Sequence, residues 1–188
     1  MSDTFFSQAN FQPKRKFRFI VSFPGLGEGL NYMATTADKP GFEQAEKSHN
    51  VLNHVFKFPG IVKWNDVKVS FVDSFSPDVG FSFYQALQNM GYVEPKTKGA
   101  LTTGITKLGA HTSLGLVKIQ QLDGGAVDAV GTPQNARIQE QWTLNNAFLK
   151  SVAFGDLSYE SEDLVTINSV IVYDWATYER PGNQVMDA

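Results

Sequence analysis

Cysteine is absent from this chain of 188 residues. Its absence excludes disulfide bonds, thiolate metal sites and a thiol nucleophile, and it fits a protein made in a reducing compartment. Long apolar runs are also missing, because no stretch approaches the roughly 18 residues that a membrane-spanning helix needs. The N-terminal stretch lacks the basic-then-apolar order of a signal peptide, so we expect a protein without a cleaved leader.

An excess of basic charge is missing as well. The chain has 16 basic and 19 acidic residues and a net charge of −3, whereas a protein that binds nucleic acid by neutralising phosphates is expected to be basic. Two charged clusters are candidate subunit contacts, with an ordinary solvated surface as the simpler alternative. The basic cluster is Lys14, Arg15, Lys16 and Arg18, and the acidic cluster is Asp156, Glu160, Glu162 and Asp163.

Hydrophobic residues are plentiful, at 42% of the chain, and aromatic residues make up 13%. This composition indicates an ordered globular protein, and the length indicates one domain with a sizeable core. We therefore predict a single domain over residues 1–188. Its less regular parts are an N-terminal arm (1–16), a long Gly- and Thr-rich loop (93–116) and a short C-terminal tail (179–188).

Two-residue alternation of apolar and polar side chains dominates the pattern and predicts a mainly β, antiparallel protein. The predicted strands lie at 17–23, 31–36, 51–58, 67–71, 117–122, 137–144 and 166–174. Apolar side chains occupy both faces of the strand at 51–58, which suggests that both faces are covered. Pro59 and Gly60 after that strand are typical of a turn.

One helix is predicted after the strand at 67–71. Ser76 supplies a capping hydroxyl, Pro77 suits the first helical position, and Asp78 suits the positive first turn. Gly91 is a good helix stop. Between them Val79, Phe83, Leu87 and Met90 fall on one face, which predicts packing on a sheet.

Motifs for catalysis or metal binding are not found. His49, His54 and His111 lack the spacing of metal ligands or of a general base, and the sequence contains no nucleotide-binding or hydrolase motif. We predict no enzyme activity, no metal and no cofactor. Trp64, Trp142 and Trp175 lie on alternating strands, where filling a core or a subunit contact is the common role.

The order of these elements resembles the tail tube protein of contractile-tailed bacteriophages, a family related to type VI secretion tube proteins. The residues that carry the resemblance are Phe58-Pro59-Gly60, Trp64 and Val67–Phe71 ahead of the helix, then Leu157–Tyr159 and Thr166–Trp175 as a C-terminal hairpin. It covers roughly the outer two thirds of the chain, and residues 93–135 match nothing in the family. The resemblance implies an antiparallel β-sandwich or barrel-like fold with one packed helix.

The same resemblance implies a structural virion protein. Its subunits would form hexameric rings that stack into the hollow inner tail tube, and phage DNA would pass through the lumen without specific binding. The implied partners are further copies of the chain, the tail sheath, the baseplate tube initiator and the tail terminator. The implied location is the phage tail, assembled in the host cytoplasm, and the monomer would insert in no membrane.

Two other interpretations remain open from the sequence. The chain could be a baseplate tube initiator, a terminator or another contractile-injection-system tube protein of the same fold. A small β-barrel ligand-binding module belongs to a different class. Tube length in vitro separates the first alternative from the tube subunit, and a monomer with a filled cavity would favour the second.

Overall fold

A computed structural model describes most of the chain between residues 13 and 181. The residues outside the description are 1–12, 97, 100, 101, 103, 124–136, 161 and 182–188. Most of the predicted N-terminal arm and C-terminal tail therefore lie outside the described residues. In the part that is described, no helix is both long and apolar enough to cross a membrane.

The described residues form ten β-strands and two α-helices. In chain order they are β1 (Phe19–Ser22), β2 (Ala34–Ala37), β3 (Phe42–Val51), β4 (His54–Trp64), β5 (Val67–Val72), α1 (Val79–Asn89), α2 (Lys107–Leu114), β6 (Val117–Leu122), β7 (Ile138–Asn145), β8 (Phe148–Ala153), β9 (Thr166–Val172) and β10 (Trp175–Glu179). A short 3-10 helix, Glu28–Tyr32, precedes β2.

The strands form two four-stranded antiparallel sheets and a separate two-stranded hairpin. The first sheet has the order β1-β6-β7-β10, and the second sheet has the order β2-β5-β9-β8. The hairpin consists of β3 and β4 and continues from the β2–β5 pair of the second sheet. The predicted mainly β, antiparallel fold is confirmed, and the strands predicted at 117–122 and 137–144 are present and pair with each other.

A common core lies between the two sheets. In β5 the alternation places Val67, Val69 and Phe71 inside, each at most 1% exposed, as a half-buried strand requires. Phe71 contacts Phe23, with ring centroids 5.6 Å apart, and Phe83 of α1, with centroids 5.3 Å apart. These contacts explain why α1 packs on the core side of the second sheet.

The start of α1 differs from the sequence prediction. The capping residue is Asp78, whose Oδ1 accepts a hydrogen bond from the backbone N–H of Phe81 at 2.7 Å. Ser76 and Pro77 both precede the cap, so the predicted Ser76 cap is wrong. Asp and Ser are both favoured at this position, and here the acid next to the first helical residue takes it. The predicted stop is confirmed, because Gly91 follows the helix with a φ of +107°.

The predicted long loop at 93–116 contains a second helix, so the prediction of a single helix was incomplete. In α2, the Thr106 hydroxyl caps the N-terminus and accepts from the N–H of Gly109 at 3.1 Å. Lys107 Nζ bonds Asp174 at 2.5 Å, which links α2 to the connection between β9 and β10. Gly and Thr gave this segment a weak periodicity, and packing against the rest of the domain makes it helical.

The predicted C-terminal hairpin is also wrong. Strand β9 pairs with β5 and β8 in the second sheet, and residues 157–159 lie outside any strand. Strand β10 pairs with β7 in the first sheet. The chain therefore crosses from one sheet to the other near Asp174, whose N–H donates to the Asn145 carbonyl at 3.0 Å.

Candidate assembly surfaces

The hairpin projects from the two-sheet body. Its strands pair from Phe42–Trp64 at the base to Val51–His54 at the tip, and a length of ten residues spans about 33 Å at the usual rise. Every residue of β3 and β4 except Trp64 is exposed. At the base, Trp64 packs between Phe42 and Tyr173, with centroid distances of 5.7 and 6.0 Å. The expectation that both faces of this region are covered is not met in the single chain.

The turn of the hairpin lies at Leu52, with a φ of +52°, rather than at Pro59-Gly60 as predicted. Pro59 and Gly60 are inside β4, where the pairing register shifts between Gln44 and Glu46. A Cβ at Gly60 would lie 2.9 Å from the Ala45 carbonyl oxygen, so glycine allows the close approach of the two strands. Proline is tolerated in β4 because hairpin strands are edge strands.

The two faces of the hairpin differ. The pairing register places Val51, Phe56, Phe58 and Ile61 on one face, which we call the aromatic face of the hairpin; Lys47 and His49 of β3 lie beside Phe58 and Phe56 on the same face. Phe56 is 53% exposed, Phe58 56% and Ile61 76%. The opposite face carries Gln44, Ser48, Asn50, Val55 and an ion pair between Lys57 and Glu46 at 3.0 Å.

An exposed apolar face of this kind indicates a protein contact. Single exposed hydrophobic side chains are common on monomers, but a contiguous row of large ones usually marks an interaction site. A two-stranded hairpin with no third strand is also marginal in water by itself. The aromatic face is therefore the strongest candidate for a subunit contact, although the sequence alone did not identify Phe56, Phe58 or Ile61 as contact residues. The sequence pattern that could have identified this face is the large apolar residues at alternating positions of a strand that also carries Lys and His.

The predicted basic cluster lies before β1 at one end of the first sheet. Lys14 forms an ion pair with Glu140 of the same chain. The carbonyl of Arg15 accepts from Gln121 Nε2 at 3.2 Å, and the Arg18 guanidinium lies over the Phe17 ring at 5.3 Å. Lys16 lines a cleft of about 550 Å³ between β2 and the first sheet. A role of these four residues in subunit contacts stays a prediction.

The predicted acidic cluster lies in the connection between β8 and β9. Asp156 and Asp163 line a surface cleft of about 520 Å³ together with Leu157, Tyr159 and Leu164. All three of these apolar side chains are strongly exposed. The acidic cluster therefore accompanies a second exposed apolar region, and its role in contacts also stays a prediction.

Glu140 in β7 is a buried acid that the sequence analysis did not select. Its side chain is 6% exposed, and it accepts from Lys14, from Lys39 Nζ at 2.6 Å and from Trp142 Nε1 at 2.9 Å. Burial opposes ionisation, but the hydrogen bonds from Lys14, Lys39 and Trp142 outweigh it and lower the pKa of the carboxyl to about 2. Glu140 is therefore an anion at any physiological pH.

Groups suited to catalysis are not assembled in the part of the chain that the structure describes. No group of three or more His, Asp or Glu side chains there is placed to hold a metal ion. His49 and His54 lie on the exposed hairpin, and His111 lies in α2. Tyr173 carries a buried hydroxyl without a hydrogen-bond partner, and burial together with the Asp66 charge raises its pKa to about 12.

Comparison with known proteins gives matches at the level of structure. No family model matches the chain, and no curated protein matches it. A chain of the anti-feeding prophage baseplate superposes with a TM-score of 0.59 and 13% identity, over 92% of this chain and 99% of that one. A chain of the PVC sheath–tube complex, an extracellular contractile injection system in its extended state, gives 0.59 and 15%, over 95% and 99%.

A chain from the tube-terminating cap of the anti-feeding prophage is equally similar, with a TM-score of 0.59, 18% identity and coverage of 96% and 99%. The predicted resemblance to the tail tube family is thus confirmed at the level of the fold. All three solved structures are parts of contractile injection assemblies. At these identities the likeness shows the fold alone.

Proposed function

We propose that this chain is the subunit of the hollow inner tube of a contractile injection apparatus such as a phage tail. Subunits join into hexameric rings, and the rings stack into a tube through which DNA leaves the particle. The observation that carries the proposal is the projecting hairpin with its exposed aromatic face, on a fold shared with contractile injection assemblies.

The hairpin suits contact with a second copy of the chain. A strand pair about 33 Å long extends from the body that carries it, so its aromatic face can reach the surface of a neighbouring subunit. A contact between two different surfaces of identical subunits closes into a ring or continues as a filament, and a stacked tube uses both outcomes. Burial of Phe56, Phe58 and Ile61 on a neighbour then supplies the apolar driving force.

A wall for moving DNA must hold it weakly, since a few basic contacts in each subunit would add up along many rings. The outer face of the second sheet is the described surface that best fits this requirement. The pairing registers place there Thr36, Lys68, Ser70, Val72, Ser151, Ala153, Thr166, Asn168 and Val170. Of these described side chains Lys68 alone is charged. Lys150 in β8 reaches Asp66 just before β5 in an ion pair that adds no net charge, and we propose that this face lines the lumen.

Thiol labelling tests the lumen assignment, because the chain has no native cysteine. Asn168→Cys places a thiol on the proposed lumen face, and Gln85→Cys places one on the exposed side of α1. In assembled tubes we expect a small maleimide to label both variants. A bulky polymer-linked maleimide, which is too large to enter the lumen, should label only the Gln85→Cys variant. Equal labelling of both positions by the bulky reagent would contradict the assignment.

The proposed partners follow from the proposed role. They are other copies of the chain, a contractile sheath around the tube, an initiator at the baseplate and a terminator at the far end. The proposed location is the tail of the particle, after assembly in the host cytoplasm. The charged clusters at 14–18 and 156–163 are proposed to contribute to contacts between subunits.

Sedimentation of two variants tests the role of the hairpin. Phe56→Ser combined with Phe58→Ser removes the aromatic face, and Val55→Ser is the matched control on the opposite face of the same strand. We expect the double variant to remain monomeric at concentrations at which the wild type and the control assemble. Assembly of the double variant at the wild-type concentration would remove the hairpin from the proposal.

An initiator or terminator of the tube is the second candidate function. The baseplate and the tube-terminating cap of the anti-feeding prophage contain chains as similar to this one as the chain from the sheath–tube complex is. Polymer length distinguishes the candidates, because a tube subunit gives stacks of open-ended length and an initiator or terminator stops at one or a few rings. A monomer with a small ligand in the cleft beside Lys16 would instead support a ligand-binding module.

A further inference from the structure

Glu140 connects three distant parts of the chain. It lies in β7, near the end of the first sheet, and its nearly buried carboxylate receives three hydrogen bonds. Lys14 donates to one carboxylate oxygen, and Lys39 and Trp142 donate to the other. The two lysines are 126 and 101 residues away from Glu140 in sequence, so the acid serves a tertiary role rather than a local one.

The two lysines come from two different parts of the chain. Lys14 lies next to the N-terminal segment of the chain, just before β1. Lys39 lies between β2 and β3, three residues before the hairpin begins at Phe42. One buried carboxylate thus holds the residues just before β1 and the connection that leads into the hairpin against the same strand.

Gln121 in β6 makes a second set of links between the same parts. Its Oε1 accepts from Lys39 Nζ at 2.5 Å, and its Nε2 donates to the Arg15 carbonyl at 3.2 Å. Gln121 is 8% exposed and lies beside Glu140 in the pairing of β6 with β7. The junction is therefore a network with several members, which holds geometry better than one isolated ion pair.

We propose that Glu140 is a positioning residue that sets the direction in which the hairpin leaves the body. Lys14 and Lys39 have side chains about half exposed, so without the carboxylate Lys14 can turn to water and Lys39 keeps only its hydrogen bond to Gln121. The core lies elsewhere and keeps its packing. Loss of the acid therefore loosens the connection into the hairpin without unfolding the body. The consequence for assembly rests on the proposed tube function, whereas the anchoring itself does not.

Distance measurements between two spin labels test the anchoring in single subunits. Labels at Leu52→Cys in the hairpin turn and Gln85→Cys on α1 report the direction of the hairpin, and both sites are exposed. The measurement uses the Phe56→Ser/Phe58→Ser background, so that subunits stay apart. We expect a narrow distance distribution with Glu140 present and a clearly broader one with Glu140→Gln, at an unchanged circular dichroism spectrum.

Two further variants keep the test decisive. Glu46→Gln breaks the exposed ion pair with Lys57 within the hairpin and is expected to leave the distribution narrow. Lys39→Met removes the hairpin anchor while Glu140 keeps Lys14, so it gives the broad distribution even if Glu140→Gln folds poorly. A distribution that stays narrow in a folded Glu140→Gln or in Lys39→Met would overturn the proposal.

Assembly of Glu140→Gln in the otherwise natural chain gives the second readout. If anchoring matters for the tube, this variant assembles at a higher concentration than the wild type. If the wild type does not assemble at all while Glu140→Gln still broadens the distance distribution, the anchoring stands and the tube function fails. If the wild type assembles and the distribution does not change, the anchoring fails and the tube function stands.

Discussion

The two-sheet body and the hairpin are built from strands of the same chain but are stabilised in different ways. In β5 of the body, Val67, Val69 and Phe71 are buried between the sheets within the single chain. In β4 of the hairpin, Phe56, Phe58 and Ile61 remain more than half exposed. The body has its apolar partners within the fold, whereas the hairpin has none in the single chain and is proposed to acquire them by binding another copy. Stability and assembly should therefore respond to different residues.

The largest expected effect separates the two regions directly. Phe71→Ala removes a ring that contacts Phe23 and Phe83 in the core and should destabilise the monomer by about 3–5 kcal/mol. Phe58→Ala should change the free energy of unfolding of the monomer by less than about 1 kcal/mol and still weaken assembly. Denaturant unfolding measures the first quantity and sedimentation measures the second. Similar losses of monomer stability in the two variants would break the comparison.

Glu140 links the two regions, and its contribution should depend on pH. Its pKa is about 2 in the folded protein, below the ordinary value of 4.5, so the ionised acid stabilises the fold above about pH 4.5. This contribution is lost as the pH falls towards 2. At pH 7 Glu140→Gln should be less stable by about 2 kcal/mol, as for hydrogen bonds to charged groups.

The difference between wild type and Glu140→Gln should therefore shrink between pH 5 and pH 3, since glutamine does not titrate. Denaturant unfolding at several pH values measures it. A difference that is constant over this range would show that ionisation of Glu140 does not contribute. Asp66→Asn is a useful control, because it neutralises a partly exposed acid that pairs with Lys150.

Loss of the N-cap of α1 should lower the stability of the body by a smaller amount. Asp78→Ala should cost about 1 kcal/mol, as the loss of an N-cap does, and Ser76→Ala should cost much less. The reason is the hydrogen bond from the Phe81 N–H to the Asp78 carboxylate. Thermal unfolding of the two variants checks this, and a larger loss with Ser76→Ala would restore the cap predicted from the sequence.

The smallest effect is expected at the junction between the body and the hairpin base. Tyr173→Phe removes a buried hydroxyl that has no hydrogen-bond partner, and the ring can keep its contact with Trp64. Stability should be unchanged or should rise by up to about 1 kcal/mol, because an unsatisfied buried polar group is removed. A clear loss of stability would indicate that the hydroxyl has a partner, such as a bound water.

The sequence predicts the body much better than it predicts the hairpin or the junctions. The alternation in β5 identifies its buried face, because burial within one chain follows a period of two. The same alternation in β4 suggested covered faces, since local sequence does not distinguish a core from a surface buried by a partner. The Pro59-Gly60 pair indicated a turn, and only the register with β3 identifies a β-bulge.

Contacts between residues far apart in the sequence also could not be predicted from local patterns. Strand β9 was predicted correctly, but its pairing with β5, nearly 100 residues earlier, replaced the predicted local hairpin. Nothing local distinguishes Glu140 from its neighbours Gln139 and Gln141. Its function depends on Lys14 and Lys39, which come from other elements. Composition and local pattern gave the fold class, and tertiary contacts were needed for the candidate site.

Electron microscopy of the purified chain tests the central claim most directly. The chain is concentrated with and without a nucleating baseplate fraction and examined by negative stain, beside the Phe56→Ser/Phe58→Ser variant. The account predicts six-membered rings and open-ended stacks for the wild type and separate particles for the variant. Separate wild-type particles at every concentration, with and without the nucleator, would contradict it.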